Sequence, residues 1–360
     1  MLAALCLITA GCAPKVQRPS GGDAIVLTGD WNTPGGMARD AGGDILVSMP
    51  NLCDPSKGAS IVRIAPGGDV SEWSRLPPHP KTGFACPLGL APGPDGNIYW
   101  TDNQELGAEV AGLMDSVPDR PGSVGRNVSR LCRIVVEDGR PVRSEVLVQG
   151  FFRPSGVAAR GDAVYVTDAS LGLASATARP HQSGVYMFYL RELDPERPVR
   201  LKTGGDDPHL ICTLETANGD RKIGASGIAF GADCTMFVCN FGDAKVMAVR
   251  LDEFGNVETA KTLCEGRGMK SCGGLQFDRD SGLLYCADML GNAVHEIDPA
   301  TGRVRTVRAD PEPNDGSDNR LDRPADCQRR GVKLYVSNAD LPIAGNSCDA
   351  PHTISVIDVE

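Results

Sequence analysis

Five oxygen-bearing side chains recur at one place in the pattern of this chain. Asp102, Asp168, Asn240, Asp288 and Asn338 each close a short run of β-branched and aromatic residues, with Met49 standing where a sixth would fall. Carboxylate and amide oxygens gathered in a ring suit a hard divalent cation or a hydroxyl-bearing ligand. Asn103, beside Asp102, and Asp326 join the candidate set, and the cation would be calcium, zinc or manganese. The same residue types also bond backbone amides in the turn after a strand, which needs no ligand at all. Asn240 and Asp288 lie in the two units with the shortest loops and are the least obstructed members.

Other chemistries leave little trace. The chain has 13 cysteines but no Cys-x-x-Cys with a matching histidine, so a zinc-finger or haem pattern is missing. The five histidines never fall at ligand spacing with one another. His181 and His352, in loops, have the placement of a general base, whereas His295 lies inside a strand pattern and reads as structural. Neither a G-x-S-x-G elbow nor a P-loop occurs. With a net charge of -10 and no basic patch, the electrostatic drive for nucleic-acid binding is absent.

The elements that must position these residues form a repeat. Pro or a small residue, any residue, Gly, an apolar residue, a polar turn, then a strand ending in Asp or Asn recurs from Pro34, Pro87, Pro154, Ala225, Cys272 and Pro324, six copies of which the first ends its strand in Met49 and the last has Asp326 after Pro324-Ala325. A second alternating pair of strands follows each copy, joined by turn chemistry such as Glu-Phe-Gly-Asn and Pro-Ala-Thr-Gly. Each unit is thus a four-stranded antiparallel sheet, and six such sheets predict an all-β, six-bladed β-propeller over residues 24–360. The last unit stops at TISVIDVE without an outermost strand. Residues 24–30, AIVLTGD, are placed to supply it, so that N-terminal and C-terminal strands share the closing blade and remove the open edges.

Loops between the second and third strands are long in the first, second, third and sixth units. The longest, from Asn103 to Arg130, carries Glu105, Glu109, Asp115, Asp119, Arg120 and Arg126 and reads as a lid with a short helix over GAEVAGLM. Two loops echo each other, NLCDPSK around Cys53 and NSCDAPH around Cys348, in units that become neighbours when the ring closes. A Cys53–Cys348 disulfide would staple that seam, with Cys86 as a competing partner for Cys53.

The unit P-x-G-h-x...G-x-h-Y-V-x-D resembles the repeat of the NHL and senescence-marker-protein/gluconolactonase propellers of the TolB-like superfamily, over almost the whole chain after residue 23. In gluconolactonases the resemblance implies an axial divalent cation held by a Glu of the first blade and by Asn and Asp at the middle of P-x-G. Here those middle positions are Gly35, Leu88, Ser155, Ser226, Gly273 and Ala325, none a strong ligand, with Asp326 one residue late.

The opening MLAALCLITAGC is similar to the lipobox of bacterial lipoprotein signals, which implies an acylated Cys12, a tether over residues 13–23, and a protein held by its anchor on the outer side of a bacterial membrane. No later apolar run is long enough to cross a bilayer. Two readings follow for a monomer in that place. One is a non-catalytic propeller whose loop-bearing mouth binds a protein, a glycan or a small polar ligand. The other is a lactonase-like hydrolase in which a cation polarises a carbonyl and activates water.

Overall fold

The computed structural model describes residues 24–113, 127–172, 180–202, 206–218, 221, 223–343 and 345–359. Cys12, the tether, and Asp115, Asp119, Arg120 and Arg126 of the longest loop lie outside them.

The chain forms a six-bladed propeller. Blade one comprises Met37–Arg39, Ile45–Met49, Ser60–Ile64 and Val70–Arg75. Blade two comprises Pro87–Pro92, Ile98–Asp102, Ser129–Glu137 and Arg140–Phe151. Blade three is Pro154–Arg160, Ala163–Asp168, His181–Tyr189 and Leu210–Thr216. Blade four is Ala225–Phe230, Met236–Asn240, Lys245–Leu251 and Val257–Glu265, and blade five Leu275–Asp278, Leu283–Asp288, Ala293–Ile297 and Val304–Ala309. Blade six joins Pro324–Arg330, Lys333–Asn338 and Thr353–Asp358 to the N-terminal strand Ile25–Val26.

Closure occurs as the repeat count requires. Ile25 faces Ile354, Val26 faces Thr353, and the Leu27 amide donates to the His352 carbonyl at 2.8 Å. The regular strand is shorter than the seven residues expected of it, and Gly29 takes a left-handed φ of 83° soon after it. Blade two carries a fifth strand, Val199–Arg200, which runs parallel to Arg140–Phe151 and comes from the long excursion of blade three.

Burial grades outward from the axis. Second strands are apolar on both faces because a neighbouring blade covers each side: Ile45–Met49, Ile98–Asp102 and Met236–Asn240 are buried throughout. Outermost strands face water, so Val304–Ala309 shows no fully buried residue. Between blades the apolar faces interlock; Leu46 and Ile61 of blade one pack with Trp100 and Ile134 of blade two.

The innermost strands approach so closely that the P-x-G glycine is obligatory. A Cβ on Gly89 would meet the Ser155 carbonyl of the next blade, and Gly36, Gly156 and Gly227 face Leu88, Ser226 and Gly273 in the same way. The sixth place in this ring of glycines is Asp326.

Candidate functional site

A belt of hydrogen bonds ties the six blades at the axis, and it uses the carbonyls of the P-x-G middle residues. Gly36 N–H donates to Leu88 at 3.1 Å, Thr101 Oγ1 to Ser155 at 2.7 Å, and Thr167 Oγ1 to Ser226 at 2.5 Å. Gly227 N–H then donates to Gly273 at 2.9 Å, Gly274 N–H to Ala325 at 2.8 Å, and Ser337 Oγ to Gly35 at 2.6 Å. Every one of the six carbonyls accepts from an adjacent blade, which leaves them poorly placed to coordinate a cation.

The channel inside this belt encloses about 970 Å³. Its waist shows Ser155 and Ser226, whose hydroxyls lie 3.5 Å apart, and Asp326. Its loop-bearing mouth is mainly apolar, with Leu52, Leu106, Val110, Met289 and Leu341 packed as one cluster. The longest loop does form a helix, Gln104–Leu113, three residues earlier than the expected GAEVAGLM, because the Asn103 side chain accepts the Leu106 amide at 2.9 Å and caps it there. Glu109 of that helix pairs with Arg153 beside the channel.

The Asp/Asn ring sits behind the wall of the channel and is committed to backbone and side-chain groups of the protein itself. Asp102 accepts from the Cys86 amide at 2.8 Å, Gln104 Nε2 at 2.6 Å, and both Nε and Nη2 of Arg130 at 2.9 and 2.6 Å. Asp168 accepts from the Phe152 and Arg153 amides at 2.9 and 2.6 Å. Burial nevertheless pushes its carboxyl up to about 7, because those amides only partly offset the loss of water. Asn240 accepts from Thr216 Oγ1 at 2.9 Å and donates to the Glu215 carbonyl at 2.9 Å. Asp288 accepts from the Lys270, Ser271 and Gly291 amides, from Ser271 Oγ, and from His295 Nε2 at 3.2 Å. Asn338 holds the Asp322 amide and bonds Thr353 and Ser355. These side chains fix the turns by which the chain enters each blade. They are not brought together as one oxygen-lined ring at the rim, since each lies within its own blade and is buried.

Asp326 differs from them. It lines the channel, where its Oδ2 accepts the Met37 amide of blade one at 2.8 Å and its Oδ1 accepts the Cys327 amide. Desolvation raises its carboxyl to about 7 against the pull of those two amides. Asn103 also lines the channel through the capping turn.

The histidines lie off the channel, His181 bonded to the Ala169 carbonyl at 2.7 Å and His352 with Nδ1 2.9 Å from the Asp340 carboxylate. Cys53 and Cys348 form the disulfide across the closing seam, with their Cα atoms 6.0 Å apart, and Cys86 is buried outside it as a thiol. Two groups of potential metal ligands occur among the described residues, neither on the axis. One is Cys53, Asp340 and His352, in which the disulfide takes the sulfur; the other is Cys239, Cys272 and Cys286.

The apolar mouth was not among the residues that the repeat singled out. Its signal lay in Met289 directly after Asp288, and in Leu52 and Leu341 inside otherwise polar loops.

No family model matches the chain, and no curated protein is significantly similar to it in sequence. Solved structures share its fold. The PQQ-bound aldose sugar dehydrogenase of Streptomyces coelicolor superposes with a TM-score of 0.57 at 16% identity, over 95% of this chain and 99% of that one. A putative oxidoreductase (glucose dehydrogenase) of Thermus thermophilus gives 0.56 at 18% identity, over 94% and 99%. The gluconolactonase XC5397 of Xanthomonas campestris gives 0.54 at 16%, over 94% and 90%.

Proposed function

We propose that the protein is a ligand-binding propeller, held outside the cytoplasm by lipid on Cys12, whose axial channel takes one small molecule with an apolar body and at least one hydroxyl. The channel carries this reading: a volume of about 970 Å³ is the size of a small-molecule site, apolar at the mouth, with the Ser155 and Ser226 hydroxyls 3.5 Å apart and Asp326 also in its lining. A protein or glycan partner has less support, since the Asp/Asn side chains that would have met it are buried within their own blades.

A second reading, hydrolysis of a lactone, is favoured by Asp326 alone. A carboxyl raised to about 7 exchanges a proton readily at neutral pH. The gluconolactonase of Xanthomonas campestris shares the fold. A divalent cation at the waist would have one carboxylate and six belt-bonded carbonyls to meet, a poor set for calcium, zinc or manganese. Binding therefore stands first.

Octyl glucoside, with its apolar tail and ring hydroxyls, is a suitable probe. Saturable binding by calorimetry is expected, and Ser155→Phe, which narrows the waist, should abolish it at an unchanged melting temperature. Binding that survives Ser155→Phe, or none to the parent, would count against the channel. Metal-stimulated hydrolysis of a sugar lactone, lost in Asp326→Asn, would promote the second reading.

A further inference from the structure

Away from the channel, the repeat departs from its own pattern at the joint between blades four and five. The residue before the last one of each second strand is Ser48, Thr101, Thr167 or Ser337 in four blades, Ala287 in blade five and Cys239 in blade four. The residue that opens P-x-G is Pro34, Pro87, Pro154 or Pro324 in four blades, Ala225 in blade four and Cys272 in blade five. These two thiols meet a third, Cys286, on the second strand of blade five.

The sulfurs form a compact triangle. Cys272 Sγ lies 2.8 Å from that of Cys239 and 3.0 Å from that of Cys286, and the third side measures 3.9 Å. All three residues are fully buried in an apolar cluster that includes Val246, Leu284 and Ile297.

We propose that this joint binds a single soft cation, Cu(I), through the three sulfurs. Soft thiolate donors select such an ion over calcium or manganese. With metal–sulfur bonds of about 2.3 Å, a planar three-sulfur site sets its sulfurs about 4 Å apart. The Cys239–Cys286 side already has that length, and an outward turn of Cys272 by about 1 Å completes the triangle. Zinc prefers a fourth ligand. The nearest imidazole, His295, faces Cys286 across the strands but has one ring nitrogen on Asp288 and the other on Thr306 Oγ1.

The charge balance suits a monovalent ion. Cu(I) enters without change of oxidation state and displaces two thiol protons to solvent, while the third sulfur stays a neutral donor. The site then carries one net negative charge, a smaller burden in an apolar cluster than three bare thiolates would be.

The two departures from the repeat supply their own variants. Cys239→Ser and Cys272→Pro restore residues that other blades hold at those places, so the fold should tolerate them. The protein with its Cys53–Cys348 bond intact is titrated anaerobically with Cu(I) against a coloured Cu(I) chelator. One ion per chain is expected, with an X-ray absorption shell of three sulfurs. Each variant should lose affinity by more than roughly 100-fold, since each removes a direct ligand where even an outer partner is worth 10–100-fold. Cys132→Ser, at a buried thiol in blade two, should leave the affinity unchanged. Equal affinity in Cys239→Ser and the parent would overturn the proposal. So would a disulfide from Cys272 to Cys239 or Cys286 in the protein as isolated, found by peptide mapping without reduction.

Discussion

Asp168 and Asp288 end equivalent strands and accept backbone amides in equivalent turns, yet their carboxyls move in opposite directions. Asp288 gains a histidine, a serine hydroxyl and three amides, and is held below the usual range in spite of its burial. Asp168 has only amides for strong partners, and burial prevails. A carboxyl raised to about 7 in the folded state has no effect on stability below its unfolded value near 4. Between there and 7 the unfolded chain loses its proton first, so stability falls as pH rises, by at most about 4 kcal/mol. Asp168→Asn removes that slope. The drop in unfolding free energy from pH 4.5 to pH 7.5, measured by urea denaturation, should therefore be smaller in the variant; an equal drop would place the ionisation elsewhere. The residue types offered backbone amides as partners, but in the turn after each strand; the amides that Asp168 and Asp288 hold lie 15–18 residues earlier, where the chain enters the blade.

Among the elements, closure was legible because a missing outermost strand in the last unit demands a donor, and the only alternating stretch left over was at the other end of the chain. How little that donor does alone was not legible. Ile25–Val26 contributes two paired residues to the seam, so the Cys53–Cys348 bond, spanning 295 residues, carries a larger share of it. Cross-linking so distant a pair mainly restricts the unfolded chain. Cys53→Ser should thus lower stability by about 2–5 kcal/mol under oxidising conditions, and the difference between parent and variant should disappear in reductant. A parent insensitive to reductant would assign closure to the strand instead. The helix Gln104–Leu113 was expected in the right loop but begins earlier, since its start is set by the Asn103 cap rather than by the apolar run.

At the scale of the molecule, the ring is held by repetition and its function is expressed in the exceptions. Five glycines meet the next blade around the axis, and Asp326 takes the sixth place; against a metal triad it stands only one residue late. Its significance needed the belt, in which each middle carbonyl is already bonded and a side chain is the one remaining means of presenting charge to the channel. Asp326→Gly returns the ring to six glycines and frees the Met37 amide to bond water in the channel. The raised carboxyl of Asp326 opposes folding above its unfolded value and does so fully only above about 7. The variant should therefore gain stability relative to the parent at pH 8 compared with pH 4.5, while its affinity for a hydroxylated amphiphile falls because the acceptor at the waist is gone. Thermal unfolding at the two pH values and calorimetry on the same protein separate the possibilities: a stability gain with undiminished affinity would make Asp326 a tolerated irregularity of the seam, and a loss of both would make it a structural bridge between blades six and one.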